Sequence, residues 1–239
     1  MLAAADFNSP ITWALLIGWI MTVVLHEWAH GFVAYLGGDY TIRERGGLSL
    51  NPLQYVHPVN SLLLPAVFLM LGGIPLPGGV TYVRHDLLRG RGWESAVAAA
   101  GPLMNLILFV LLSLPFHPWV GWIDVTMSVG EYKTWHIFLG ALAQLQIVAV
   151  VINLIPVPPL DGFNILAPYM DEETRTKLLT PPMPTVAFIA LFVVLWNVPQ
   201  VYQWIFALKT RLLVALGFDA WGIEMIRQCF NIAIAGRND

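Results

Sequence analysis

Apolar residues in this chain gather into long unbroken runs. They do not alternate as in a half-buried strand or form the narrow stripe of a surface helix. The runs cover 11–36, 59–74, 93–114, 135–155 and 186–198, the last continuing past Pro199 to 208. A bilayer core of about 30 Å needs about 20 helical residues. The first, third and fourth runs meet that length. The second has 16 residues and ends in Gly72-Gly73, and at about 1.5 Å per residue it reaches only about 24 Å. The fifth is long enough only if it continues through Pro199. The pattern predicts an all-α polytopic membrane protein with four to six membrane segments, 59–74 being re-entrant. Residues 1–208 form the membrane-embedded core and 209–239 an amphipathic tail helix at the surface, since Asp219, Glu224 and Arg227 interrupt its apolar positions.

The polar stretches at 37–58 and 75–92 are each too short for an independent domain. Gly46-Gly47 lies between Thr41-Ile-Arg-Glu-Arg45 and Leu48-Ser-Leu50, which reads as a small β-hairpin. Val80-Thr-Tyr-Val83, after Gly78-Gly79, reads as another strand. Trp13, Trp93, Trp119, Trp135 and Trp204 fall near run ends, as an interfacial aromatic belt requires.

Composition sharpens this reading. Hydrophobic residues are 57% of the chain and charged ones 11%, against about 25% charged in a soluble domain. The net charge of −3 and the lack of a basic tract give a nucleic-acid partner no electrostatic support. The single cysteine, Cys229, excludes an internal disulfide and a Cys-rich zinc module. The first ten residues hold an acid and no Lys or Arg, so no cleavable signal peptide is expected.

The first run contains Val24-Leu-His-Glu-Trp-Ala-His30. On a helix, residues four apart share a face, so His26 and His30 can chelate one metal ion. Glu27, beside the first histidine, can take a proton from water activated there. A carboxylate in a membrane segment costs at least about 2.5 kcal/mol on insertion scales, so Glu27 needs a function or a partner. A catalytic zinc site takes three protein ligands. His57, His85, His117, His136, Asp124 and Asp161 are the candidates for the third, and spacing alone does not choose among them. Asp161 follows the fourth run in Asn153-Leu-Ile-Pro-Val-Pro-Pro-Leu-Asp-Gly162. Its prolines break the helix, and irregular backbone at membrane depth is tolerated only along a protein-enclosed or wet cavity.

Three motifs in order, His26-Glu-x-x-His30, Ala100-Gly-Pro-x-x-Asn105 and Asn153-x-x-Pro-x-Pro-x-Leu-Asp-Gly162, make the chain resemble the site-2 protease family of intramembrane zinc metalloproteases. The resemblance covers residues 26–162. It implies one zinc ion per chain held by His26, His30 and Asp161, with Glu27 as general base. Asn153 and Asn105 are implied as substrate-binding or polar support. The implied substrate is a transmembrane segment of another protein, cleaved within or near the bilayer. The family's bacterial members carry a His where this chain has Tyr55 and an Asp where it has His57, so no role transfers to that segment, and His57 reads as a solvated interfacial histidine. No polar stretch is long enough for the PDZ or CBS modules that some members carry. The competing readings are a membrane zinc peptidase of another type, with a Glu as third ligand, and a metal-free membrane scaffold.

If His26, His30 and Asp161 share one metal, the first and fourth runs end at one depth and cross in the same direction, so 59–74 does not cross. The loops 37–58, 75–92 and 159–183 then share a face with seven basic residues (Arg43, Arg45, Arg84, Arg89, Arg91, Arg175 and Lys177), against only Lys133 in 115–134. By the positive-inside rule the site faces the cytoplasm of a bacterial inner (plasma) membrane. The tail, with four more basic residues from Lys209 onward, is left unassigned to either face.

Overall fold

The computed structural model describes Asp6, residues 8–55 and residues 81–235. Nine α-helices are named here: α1 Pro10–Gly37, α2 Thr41–Glu44, α3 Arg91–Ser113, α4 Thr134–Asn153, α5 Asp161–Leu166, α6 Glu172–Leu179, α7 Met183–Asn197, α8 Pro199–Ala215 and α9 Ala220–Ala235. The expected re-entrant segment 59–74, and His57, lie outside the described residues.

The long helices start and stop where local chemistry allows. Pro10 begins α1 at the position where its missing N–H costs nothing. Gly38, at φ 123°, ends it, and the next N–H, from Asp39, returns to Ala34 O at 3.0 Å. Among the described residues three helices are long and apolar enough to cross a membrane: Pro10–Gly37, Arg91–Phe116 and Thr134–Asn153. A fourth span exists if Glu172–Leu179 and Met183–Leu195, bent by 71°, are counted as one. Large apolar side chains point outward from α1 (Trp13, Ile17, Ile20) and α3 (Leu103, Ile107, Leu111). Such a belt suits contact with lipid and not with water.

Helix α4 is the centre of the packing. Most of its residues are buried, between α1 and α3 on one side and α9 on the other. Small residues allow the close approach: Gly140 lies against Cys229 of α9 and Phe116. Phe109, Ile147, Leu213, Met225, Ile226 and Cys229 complete the core. The stretch from 209 onward thus contributes Leu213, Met225 and Phe230 to the same cluster as α3 and α4. A buried polar pair joins α1 to α4, with Gln146 Nε2 donating to Thr22 Oγ1 at 2.9 Å.

The β-hairpin expected around Gly46-Gly47 is not there, and the described residues contain no strand. Thr41–Glu44 is a helical turn. Asp39 selects it: its carboxylate accepts from Thr41 Oγ1 at 2.5 Å and Arg45 Nη2 at 2.9 Å. Residues four apart meet one acceptor on a helical turn and not along a strand. Gly46, at φ 80°, then turns the chain back, and Gly47 N–H donates to Ile42 O at 2.9 Å. Residues 81–84 belong to no helix or strand, and Val80 of the expected strand lies outside the described residues.

The chain leaves α1 and re-enters α3 at one end of the bundle, where Arg89 N–H donates to Gly37 O at 3.0 Å. Helices α1 and α3 are therefore antiparallel neighbours, and the stretch between them returns to the end that it left.

Candidate active site

Helical spacing puts His26 and His30 on one face of α1, and both are buried. Their Nε2 atoms lie 3.1 Å apart. The start of α5 delivers Asp161, with Oδ2 3.3 Å from His26 Nε2 and Oδ1 3.5 Å from His30 Nε2. In a tetrahedron of bonds about 2.0–2.1 Å long, ligand atoms sit roughly 3.3 Å apart. The separation of the two nitrogens is close to that edge, and each nitrogen lies at a similar distance from one of the two Asp161 oxygens. Among the described residues this is the single group of His, Cys and carboxylate side chains placed to hold a metal ion.

The His30 proton gives a second, independent test. His30 Nδ1 donates to Val97 O of α3 at 2.6 Å; a carbonyl can only accept, so the neutral ring presents a lone pair at Nε2. His26 Nδ1 is buried without a hydrogen-bond partner among the described residues. The His30 lone pair, the His26 Nε2 and the Asp161 carboxylate converge, which suits a cation. The donor set, two imidazoles and one carboxylate, is one that zinc takes in catalytic sites.

Glu27 is buried beside this group. Thr81 Oγ1 lies 2.8 Å from its Oε2 and 3.1 Å from its main-chain oxygen. Tyr55 is also buried nearby; burial first, then the negative charge of Glu27, push its hydroxyl up to about 12. The phenol therefore stays protonated and ties the 47–49 loop by donating to Ser49 O at 2.7 Å or Gly47 O at 3.1 Å.

The other candidate ligands among the described residues are engaged elsewhere. His85 pairs with Glu94 at 3.5 Å, and His117 Nε2 donates to Leu216 O at 3.1 Å. His136 Nδ1 accepts from Lys133 N–H at 3.3 Å, and Asp124 caps Thr126 at 2.9 Å. Asn105 is buried on α3, one turn after Gly101 and on the same face. Asn153 is the half-buried last residue of α4.

Sequence reasoning quoted Gly101 and Gly162 within motifs without assigning them a task. A Cβ on Gly101 would lie 2.3 Å from His30 Nε2 and 2.5 Å from His26 Nε2, so α3 reaches the ligands through a bare backbone. A Cβ on Gly162 would lie 2.3 Å from Leu154 O, so the turn that delivers Asp161 packs directly on the end of α4. A glycine inside a helical pattern is the signal that could have found both. Val97 and Thr81 left no comparable trace.

No known family profile and no solved structure matches the chain. Curated relatives do. A protein of Mycolicibacterium smegmatis named "Putative zinc metalloprotease Rip2" is 37% identical over 210 residues, covering 86% of this chain and 76% of its own. The Mycobacterium tuberculosis protein of the same name is 36% identical over 231 residues, covering 92% of this chain and 81% of its own. "Putative zinc metalloprotease YwhC" of Bacillus subtilis is 32% identical over 188 residues, covering 75% and 80%. Similarity of this extent, together with the converging His26, His30 and Asp161, places the protein: it belongs to the site-2 protease family of zinc metalloproteases.

Proposed function

We propose that the protein is an intramembrane protease that hydrolyses peptide bonds within or near transmembrane segments of other proteins, with one zinc ion per chain. The observation that carries this reading is the convergence of two histidine nitrogens and a carboxylate beside a buried glutamate, on a helix otherwise apolar enough to cross a bilayer. Bound zinc supplies Lewis-acid polarisation of the scissile carbonyl and of the attacking water. His26, His30 and Asp161 hold it. Glu27 takes the proton from that water as its oxygen bonds to the carbonyl carbon, then delivers the proton to the leaving amine as the C–N bond breaks. Asn105 and Asn153 offer amides to the substrate backbone.

A transmembrane helix has its carbonyls shielded by its own hydrogen bonds, so the substrate must unwind locally before attack. The 81–84 segment beside Glu27 can receive the unwound stretch by main-chain pairing. The site end of the bundle carries Arg43, Arg45, Arg84, Arg89 and Arg91. That excess favours a site opening toward the cytoplasm of a bacterial inner membrane.

The test is cleavage of a reconstituted transmembrane substrate in proteoliposomes by wild type and by Glu27→Gln at equal zinc content. The reading requires cleavage by wild type and none by the variant. Undiminished cleavage by Glu27→Gln overturns it.

A further inference from the structure

In the reaction proposed above, on which this inference rests, the Glu27 carboxylate must face the reacting water in one orientation. A Glu side chain has three rotatable bonds, so its place on α1 does not aim it. Among the described residues one donor reaches this carboxylate, the Thr81 hydroxyl at 2.8 Å from Oε2. That hydroxyl has a single proton and two acceptors in range, the second being Glu27 O at 3.1 Å. A carbonyl within a helix is already engaged by the N–H four residues on. The bond to a carboxylate is charge-assisted, and here it is also the shorter one. The proton therefore goes to Oε2, leaving Oε1 for water.

Thr81 is itself held. Residues 81–84 are fixed by two main-chain bonds, Arg45 Nη1 to Tyr82 O at 2.7 Å and Arg84 N–H to Asp39 Oδ2 at 2.9 Å. Asp39 is fully buried and sits just past the end of α1, the helix that also bears Glu27. Arg45 closes the frame by donating to the same Asp39 oxygen at 2.9 Å. Base and hydroxyl thus belong to one braced unit: α1 carries the first, and the strap tied to the end of α1 carries the second.

We infer that Thr81 is a positioning residue for the general base: its hydroxyl fixes the Glu27 carboxylate, and the Asp39–Arg45 frame fixes the hydroxyl. It touches neither metal nor scissile bond, and its effect belongs in kcat.

The experiment measures kcat, KM and zinc content of the full chain in proteoliposomes with a transmembrane substrate. Thr81→Val keeps the shape and removes the donor; kcat is expected to fall about tenfold or more, the size expected for one lost charge-assisted bond. KM and zinc content stay within about twofold, and Thr81→Ser restores kcat. Valine and serine variants that are equally impaired overturn the inference, because packing would then be the cause. So does a loss in Thr81→Val that appears as raised KM or lost zinc. Arg45→Met provides a second route: it lowers kcat in the wild type and has little further effect in Thr81→Val, since both act on one contact. Full additivity of the two overturns the braced-unit reading. Glu27→Gln separates the levels. If it is inactive while Thr81→Val cleaves at the wild-type rate, the inference fails and the proposed reaction stands; if it is active, the reaction itself fails.

Discussion

Replacing Gly101 by alanine adds one methyl group at the point where α3 meets His26 and His30. The new Cβ would sit 2.3 Å from His30 Nε2, 2.4 Å from His26 Cε1 and 2.5 Å from His26 Nε2. Comfortable contacts begin at about 3.5 Å, so roughly 1 Å of separation has to be found. Helix α3 cannot retreat freely, because α4 backs it with a close-packed face. Retreat also withdraws Val97 O, one turn earlier on α3, from His30 Nδ1. If the rings turn instead, their nitrogens leave the common point. Overpacking of this kind costs about 1–3 kcal/mol. A disturbed ligand orientation lowers metal affinity about 10- to 100-fold, or roughly 1.4–2.8 kcal/mol. The assay is zinc retained by purified protein after dialysis against graded chelator, with cleavage measured in parallel. Gly92→Ala, in the same helix with nothing within 4 Å of its Cβ, is the control and should match wild type. Wild-type zinc affinity and cleavage in Gly101→Ala would refute the packing argument.

Three further outcomes follow from the same geometry. Chelation should lower the thermal midpoint and added zinc restore it, because an ion bound to the folded state alone stabilises that state; a midpoint in His26→Ala that responds to zinc as wild type does would speak against the assigned ligands. Gly162→Ala places its methyl against main-chain atoms, Leu154 O at 2.3 Å and Leu154 C at 2.4 Å, so Asp161 must move and zinc should be lost while circular dichroism stays helical; retained zinc would contradict this. Burial works to raise the pKa of Asp39, but bonds from Thr41, Arg84 N–H and Arg45 outweigh it and hold the carboxyl below its usual range. A depressed folded value adds stability that is complete above about pH 3.9 and is lost as pH falls through the folded value. The difference in thermal midpoint between wild type and Asp39→Asn should thus be widest near neutral pH and close below about pH 4; a constant difference at pH 3 would rule out the ionised frame.

The apolar runs at 11–36, 93–114 and 135–155 lie within two residues of the ends of α1, α3 and α4. A bilayer leaves a helix little choice of length or polarity, so sequence reads it well. The grouping of His26, His30 and Asp161 was legible for a related reason. His26 and His30 are fixed by helical spacing, and Asp161 stands in a motif with few other uses. The 41–50 segment was misread because glycine pairs mark turns of several kinds. What decides between them here is Asp39, whose carboxylate collects Thr41 and Arg45 on one side of a helical turn. Thr81 was invisible as a partner of Glu27, 54 residues earlier in the chain, because no local pattern encodes a contact made by a returning strap. Val97 acts through its carbonyl, which every residue type possesses.

The proline-rich stretch before Asp161 shows how irregular backbone can exist beside an apolar bundle. Between α4 and α5 the chain must leave helical geometry to bring Asp161 back against His26 and His30. In hydrocarbon each unpaired N–H costs several kcal/mol. Residues 154–160 contain seven main-chain nitrogens, and three of them, in Pro156, Pro158 and Pro159, have no proton to satisfy. The other four are bonded within the turn: Leu154 to Val150 O at 3.1 Å, Ile155 to Ile152 O at 3.0 Å, Val157 to Ile155 O at 2.8 Å and Leu160 to Val157 O at 2.9 Å. No donor in the turn is left over. The prolines therefore do more than stop α4. They remove the donors that a non-helical turn could not pair, and so let Asp161 reach His26 and His30 from loop geometry beside an apolar bundle.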